Sequence, residues 1–286
     1  MEYLVIPHRS SAERGFSDLR WSLVVAVAMQ ALSIAFVAWF AFLLTRIPLD
    51  ANPFDPAYLG GFATAIGLVC GSALLGLVAG IMFFAGLLEL RAGRGDFGAV
   101  HARDVDCATI YFAVAFVTTL VSALSGVLIG HGVGVIIWTP DSTSALIFGG
   151  VGVARGLFVG LAFATVLRRL VPQRDRRTSM LSAVLLAATP AAAIALSVLS
   201  PMPIAGGDPT ATYRGLWTFT AVAPVLAAVD LVAYLLLYRS FTRVCRRMRA
   251  GELLPVWLQQ VVSRGSCPVP SPPPTPSAPP TKQQNP

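Results

Sequence analysis

The chain is poor in charge. Only 12% of its 286 residues are Asp, Glu, Lys or Arg, about half the share of a soluble domain. A soluble protein of this length cannot hide a 55% hydrophobic composition behind so little charge, because its surface would be apolar. The same shortage excludes a disordered chain, which needs high charge and low hydropathy. Cysteine occurs four times, too seldom for a disulfide-built secreted module. Lysine is represented by Lys282 alone, and His by three residues.

Catalytic signatures are missing too. There is no His-Glu-x-x-His helix, no Gly-x-Ser-x-Gly elbow, no phosphate-binding Walker loop and no dinucleotide fingerprint. Ser72 and Ser125 neighbour glycines, but no histidine in the fifth or sixth apolar segment could serve them as base. No pair of intramembrane aspartates is present. An enzyme is disfavoured, and no cofactor or metal is expected.

Long apolar runs are what the chain has. A bilayer core of about 30 Å takes about 20 helical residues. Six segments qualify: Trp21–Leu44, Leu59–Leu87, Thr109–Trp138, Ser144–Leu167, Met180–Leu199 and Leu216–Tyr238. None alternates with period 2 as a membrane barrel strand does, so all six are read as helices that satisfy their own backbone groups in lipid. The predicted fold is all-α, a six-span membrane domain over 21–238. The first segment is read as a permanent anchor, too long for a signal peptide and without a small-x-small cleavage site after it.

Arginine sets the orientation. The N-terminal segment 1–20, the connections after the second and fourth segments and the tail hold 18 basic residues. The alternate loops hold only Arg46 and Arg214. Both termini are therefore expected in the cytosol, with the protein in the cell membrane. The net charge of +7 thus reads as topology and implies no nucleic-acid partner. Cys70, Cys107, Cys245 and Cys267 fall outside the outer loops, so no disulfide is expected.

Residues 239–264 read as a basic amphipathic segment on the inner leaflet. Arg243, Arg246, Arg247 and Arg249 would contact anionic lipid, and Gly251 would break the helix. Residues 265–286, rich in Pro, Ser and Thr, are expected to be disordered. Their Pro-x-x-Pro spacing is either a partner motif or plain solubilising sequence.

Glycines recur at small-x-x-x-small spacing: Gly67/Gly71, Gly76/Gly80, Gly126/Gly130, Gly130/Gly134, Gly152/Gly156 and Gly156/Gly160. Such pairs let helices approach closely in lipid, which places the second, third and fourth segments at the centre of the bundle. Gly80, Phe83, Leu87 and Leu90 match Gly160, Phe163, Leu167 and Leu170 at constant offset. This is either an internal repeat or the shared demand of crossing lipid in one direction. Pro190 and Pro224 sit inside the fifth and sixth segments, where each removes a helical hydrogen bond.

Two charges remain inside the apolar segments, Arg155 and Asp230. They lie roughly 16 and 21 Å below the outer ends of their helices at 1.5 Å per residue, both near the midplane. Each alone would cost about 2.5–3.5 kcal/mol to insert. Opposite charges at matching depth read as a gate, proton relay or substrate site, or else as an ion pair that fixes helix register. His131, within a glycine-rich outer stretch, is a further candidate for proton sensing. His101, Asp104 and Asp106 are a donor set for a divalent cation, set against the ordinary reading as a solvated loop.

The glycine-rich stretches Gly76–Arg91 and Gly149–Arg169, with the proline-rich tail after Cys267, resemble an uncharacterised archaeal family of glycine-rich multi-pass membrane proteins. That resemblance implies no activity and no site residues. The leading functional expectation is a non-catalytic transport component, a small permease or the membrane subunit of a transporter with a cytosolic ATPase partner. The alternative is a scaffold or assembly factor acting through its seams and tail, with homo-oligomerisation open in either case. An unrecognised intramembrane enzyme stands third.

Overall fold

The structure, a computed structural model, describes residues 10–46, 56–128, 142–199 and 209–253. Every regular element among them is an α-helix: α1 Ser11–Arg46, α2 Pro56–Ala92, α3 Ala99–Leu128, α4 Ser142–Leu167, α5 Gln173–Leu199 and α6 Pro209–Arg249. Five of the six are long and apolar enough to cross a membrane, over Ser11–Leu43, Ala63–Ala92, Gly149–Leu167, Gln173–Leu196 and Ala221–Arg249. The chain is therefore helical with multi-pass membrane character. The exception is α3, whose first turns carry His101, Arg103, Asp104 and Asp106. The remainder of its apolar segment, with His131, Gly130 and Gly134, lies outside the described residues, as do Cys267 and the tail from 254.

Several helices outrun their apolar segments for local reasons. α1 starts at Ser11 because the Ser10 hydroxyl accepts the Glu13 amide at 3.2 Å. That is the first half of a Ser-x-x-Glu capping box. α6 has 41 residues and runs without a break through the basic stretch to Arg249. It stops at Gly251, whose φ is +74°. There the Gly251 amide donates to the Met248 carbonyl and the Glu252 amide to that of Arg247, a Schellman closure that needs a left-handed residue.

The helices pack in the spatial order α2, α1, α6, α5, α4, α3, and α2 meets α3 only marginally. α2 is thus a rim helix, packed on α1, with Ile66, Leu74, Leu77, Ile81 and Phe84 exposed. This corrects the central position expected from its glycines. Gly71 lies against Leu32, Gly76 against Met29, and Gly86 against Leu19, whereas Gly67 and Gly80 face open space. Close glycine spacing permits contact without setting how many neighbours a helix has, and α2 uses it for one seam. Trp39 Nε1 donates to the Gly61 carbonyl at 3.1 Å across that seam.

The main core gathers where the arginine-rich ends converge. Phe16, Leu19 and Leu23 of α1 meet Phe83 and Leu87, Val105, Phe163 and Leu167, and Phe241 and Val244. The two halves of the sequence echo face each other there: Phe83 and Phe163 are 4.4 Å apart by ring centroid, and Phe163 stands edge-on to Phe241 at 5.5 Å. Phe241, Val244 and Cys245 are buried. The apolar stripe read as lying on the inner leaflet is therefore part of the protein core, because α6 continues as one helix and Phe241 packs on Phe16 of α1 and Phe163 of α4.

Candidate functional site

The α4–α5 seam positions Arg155 on α4 and Thr189 on α5. Gly149, Gly152, Gly156 and Gly160 of α4 face Ile194, Pro190, Leu186 and Ala183 of α5 in antiparallel register. Pro190 has no N–H, so the Leu186 carbonyl one turn back loses its helical donor. Gly156 sits on that carbonyl: a Cβ there would overlap its oxygen. The proline and the glycine stripe belong to one device, in which a bare Cα covers a backbone oxygen freed by the kink residue. Cα–H groups commonly meet carbonyls at close helix crossings of this kind.

Arg155 precedes Gly156 and is exposed on the protein surface. Its charge acts on Asp230 of α6, and Tyr234, one turn further along α6, lies in the field of both. Arg155 and Asp230 do not touch as an ion pair. The Asp230 carboxyl instead has Thr189 of α5 beside it, the residue before the proline, whose hydroxyl donates to the Leu185 carbonyl at 3.3 Å. Asp230 Oδ1 is buried and has no hydrogen-bond partner. Buried polar atoms are nearly always paired, and the polar groups that act on this carboxyl are the Thr189 hydroxyl and Arg155. Comparison with known proteins finds no matching family model, no similar curated protein and no similar solved structure. The site therefore stands on its own geometry.

The structure brings Arg155 and Asp230 into one neighbourhood and adds two groups, Thr189 and Tyr234. Thr189 left a faint trace in the sequence as the hydroxyl before an intramembrane proline. Ser72 is satisfied within its own helix, donating to the Val69 carbonyl at 2.8 Å.

The His101 cluster comes apart. Asp106 takes Arg94 at 2.9 Å, and Asp104 takes Arg169 at 3.3 Å. His101, only 2% exposed, stacks on Phe16 and meets Phe97 edge-on. Neither ring nitrogen has a partner, and no metal-binding group of three occurs among the described residues. Both sequence readings are corrected. The segment is helical, and its histidine is a core aromatic because the helix turns it toward Phe16 while both carboxylates are drawn to arginines.

A pH dependence follows from that burial. Desolvation holds His101 below its ordinary 6.5, and the neighbouring Asp104 opposes this only in part. The fold thus favours the neutral ring, so its contribution is fully present above pH 6.5 and is lost as pH falls toward the depressed value. The thermal unfolding midpoint should drop on acidification through this range, and His101→Phe should flatten the His-dependent part of the curve. An unchanged slope in that variant would contradict the assignment.

The arginines at the end of α6 are engaged in the protein. Arg243 pairs with the buried Asp175 of α5. Arg247 donates to the Leu170 carbonyl at 2.8 Å and to Glu252 at 2.9 Å. Arg246 and Arg249 remain exposed. Counted by sequence, these arginines were a topology signal. Folded, Arg243 ties α6 to α5, Arg247 ties α6 to the α4–α5 turn, and Arg169 ties that turn to α3.

Proposed function

We propose that the chain is a non-catalytic transport component of the cell membrane, with both termini cytosolic and α3 completing a sixth span. Arg155, Asp230 and Thr189 form its ion or substrate site. The observation that carries this reading is the buried, unpartnered Asp230 oxygen, beside a hydroxyl and facing an arginine that does not close on it. A purely structural pair would be expected to close, since desolvation of both charges is offset only by direct contact and full hydrogen bonding. The aromatic core of Phe16, Phe83, Phe163 and Phe241 lies on the cytosolic side of this site and serves as the closed inner barrier.

The test is water access. Thr189→Cys, in a background with the native cysteines replaced, should react with a membrane-impermeant thiol reagent added to intact vesicles. A cysteine at exposed, lipid-facing Leu181 should not. Lack of reaction at 189 under conditions that label an outer-loop cysteine would mean a dry core and would end the transport reading.

A further inference from the structure

We infer that His101, Asp104 and Arg169 form an acid-sensitive latch, which ties the first turns of α3 to the α4–α5 turn at neutral pH and releases them on acidification. The latch is a property of the fold and stands whether or not the chain transports anything.

The ring is placed where only its proton chemistry distinguishes it. His101 is buried, with Phe16 stacked on it at 6.3 Å and Phe97 edge-on at 5.5 Å. Both contacts would suit a phenylalanine. Neither ring nitrogen has a hydrogen-bond partner, although buried polar atoms are nearly always paired. A histidine adds to this core the capacity to take up a proton.

The charges around it are mostly committed elsewhere. On α1, Glu13 and Arg20 act on Cys245, the titratable group that α6 adds to the same core. Asp18 of α1 lies in the field of Glu89 of α2, and Arg14 is exposed. In the α2–α3 turn Arg94 is held by Asp106, and Asp96 Oδ2 lies over Gly93. Arg103 of α3 is exposed. Asp104 remains, three residues along α3 on the same helix face, and it is the charged group that acts on the ring.

Asp104 is also the carboxylate that holds Arg169. The hold is a single contact from Nε at 3.3 Å, longer than the about 2.7–2.9 Å of a strong charge-assisted bond. The Arg169 side chain is 50% exposed and that of Asp104 only 12%. Water can take the place of Asp104 at Arg169 with little loss, since exposed ion pairs contribute little. A buried imidazolium has no such substitute. On protonation the carboxylate turns to His101, and Arg169 is released to solvent. Burial favours the neutral ring, so the latch is closed above pH 6.5 and opens as pH falls toward the depressed value.

The position of α3 gives the release an effect. It packs on α4 and only marginally on α2, at one end of the helix order. The other polar ties around the α4–α5 turn run to α6, from Arg247 to the Leu170 carbonyl and from Arg243 to Asp175. Opening the latch removes the polar hold of the turn on α3 and leaves the α6 side closed.

Double-mutant cycles read by thermal unfolding of the full-length protein test this, at about pH 8 and about pH 5, the ends of the range in which histidine titrates. Asp104→Asn and Arg169→Gln, singly and together, should show coupling at the higher pH and lose it at the lower. The cycle of Asp106→Asn with Arg94→Gln, an ion pair of the same type on the same end of α3, should couple equally at both. In a His101→Phe background the Asp104–Arg169 coupling should persist at the lower pH, and His101→Leu makes the same comparison if the larger ring does not fit. Coupling that survives acid in the parent would mean that Asp104 never leaves Arg169, and coupling absent at both pH values would mean that no latch exists. Loss in both cycles, or loss that continues without His101, would place the acid response in the carboxylates. Each of these results would overturn the latch, and the two parent cycles decide it even if neither His101 variant folds.

Discussion

Gly156→Ala is expected to destabilise the protein by about 3 kcal/mol or more, at the upper end of the cost of overpacking a tight interior. A single methyl group is decisive because it meets backbone. The Cβ would land on the Leu186 carbonyl, and the next nearest atoms are the Leu186 carbonyl carbon and the Ala187 amide nitrogen. A side chain can rotate away, whereas a carbonyl in the middle of a helix moves only with the helix. The seam must then open, separating Gly152 from Pro190 and Gly160 from Ala183. Gly150, six residues earlier on the same helix, has nothing within 4 Å of an added Cβ. Gly150→Ala should be neutral or slightly stabilising, because glycine costs about 1 kcal/mol relative to alanine inside a helix. Thermal unfolding in detergent measures both. Two variants of equal stability would refute the close α4–α5 crossing.

Asp230→Asn should abolish transport while leaving unfolding nearly unchanged. The amide keeps the size and one acceptor oxygen of the carboxylate but loses the ionised state that answers Arg155. Arg155→Gln should be worse for stability than Asp230→Asn, because it leaves a buried carboxylate with no opposing charge, at a cost of about 2.5–3.5 kcal/mol, whereas Arg155 is exposed and its long stem lets the head leave the site. The double variant should regain stability and remain inactive. A pairing that is only structural would show the coupling in stability with no separate loss of flux. Ion flux across proteoliposomes, read by an entrapped pH dye under an imposed potential, supplies the activity axis. Flux equal to the parent in Asp230→Asn would remove the aspartate from the mechanism.

The two variants bear on different levels of the same site. Gly156 and Pro190 were each legible in the sequence, as part of a packing motif and as a helix interruption. Nothing in their spacing says that the carbonyl freed by one lies under the other, since that depends on the register of two antiparallel helices. Arg155 and Asp230 were legible as the two charges inside apolar segments, and their matching depth follows from counting residues at a fixed helical rise. The gap between them, and Thr189 beside Asp230, are facts of helix rotation. His101 was misread for a related reason: a histidine among arginines and aspartates looks solvated until Phe16 of a different helix covers it.

By itself the sequence determined that this is a chain of apolar helices. Backbone groups in lipid must be satisfied within the segment that carries them, so a sufficiently long apolar run has one regular solution. It also determined where the last helix ends, through Gly251, because capping is local. Only the tertiary structure decided that α2 lies on the rim, that Phe83, Phe163 and Phe241 meet, and that Asp104 and Asp175 each hold an arginine from elsewhere in the chain. The reason is physical: lipid is as apolar as leucine, so no hydrophobic stripe directs one membrane helix to its neighbour. Shape at the glycines and pairing of the few polar groups make that choice, and both exist only once the helices are side by side.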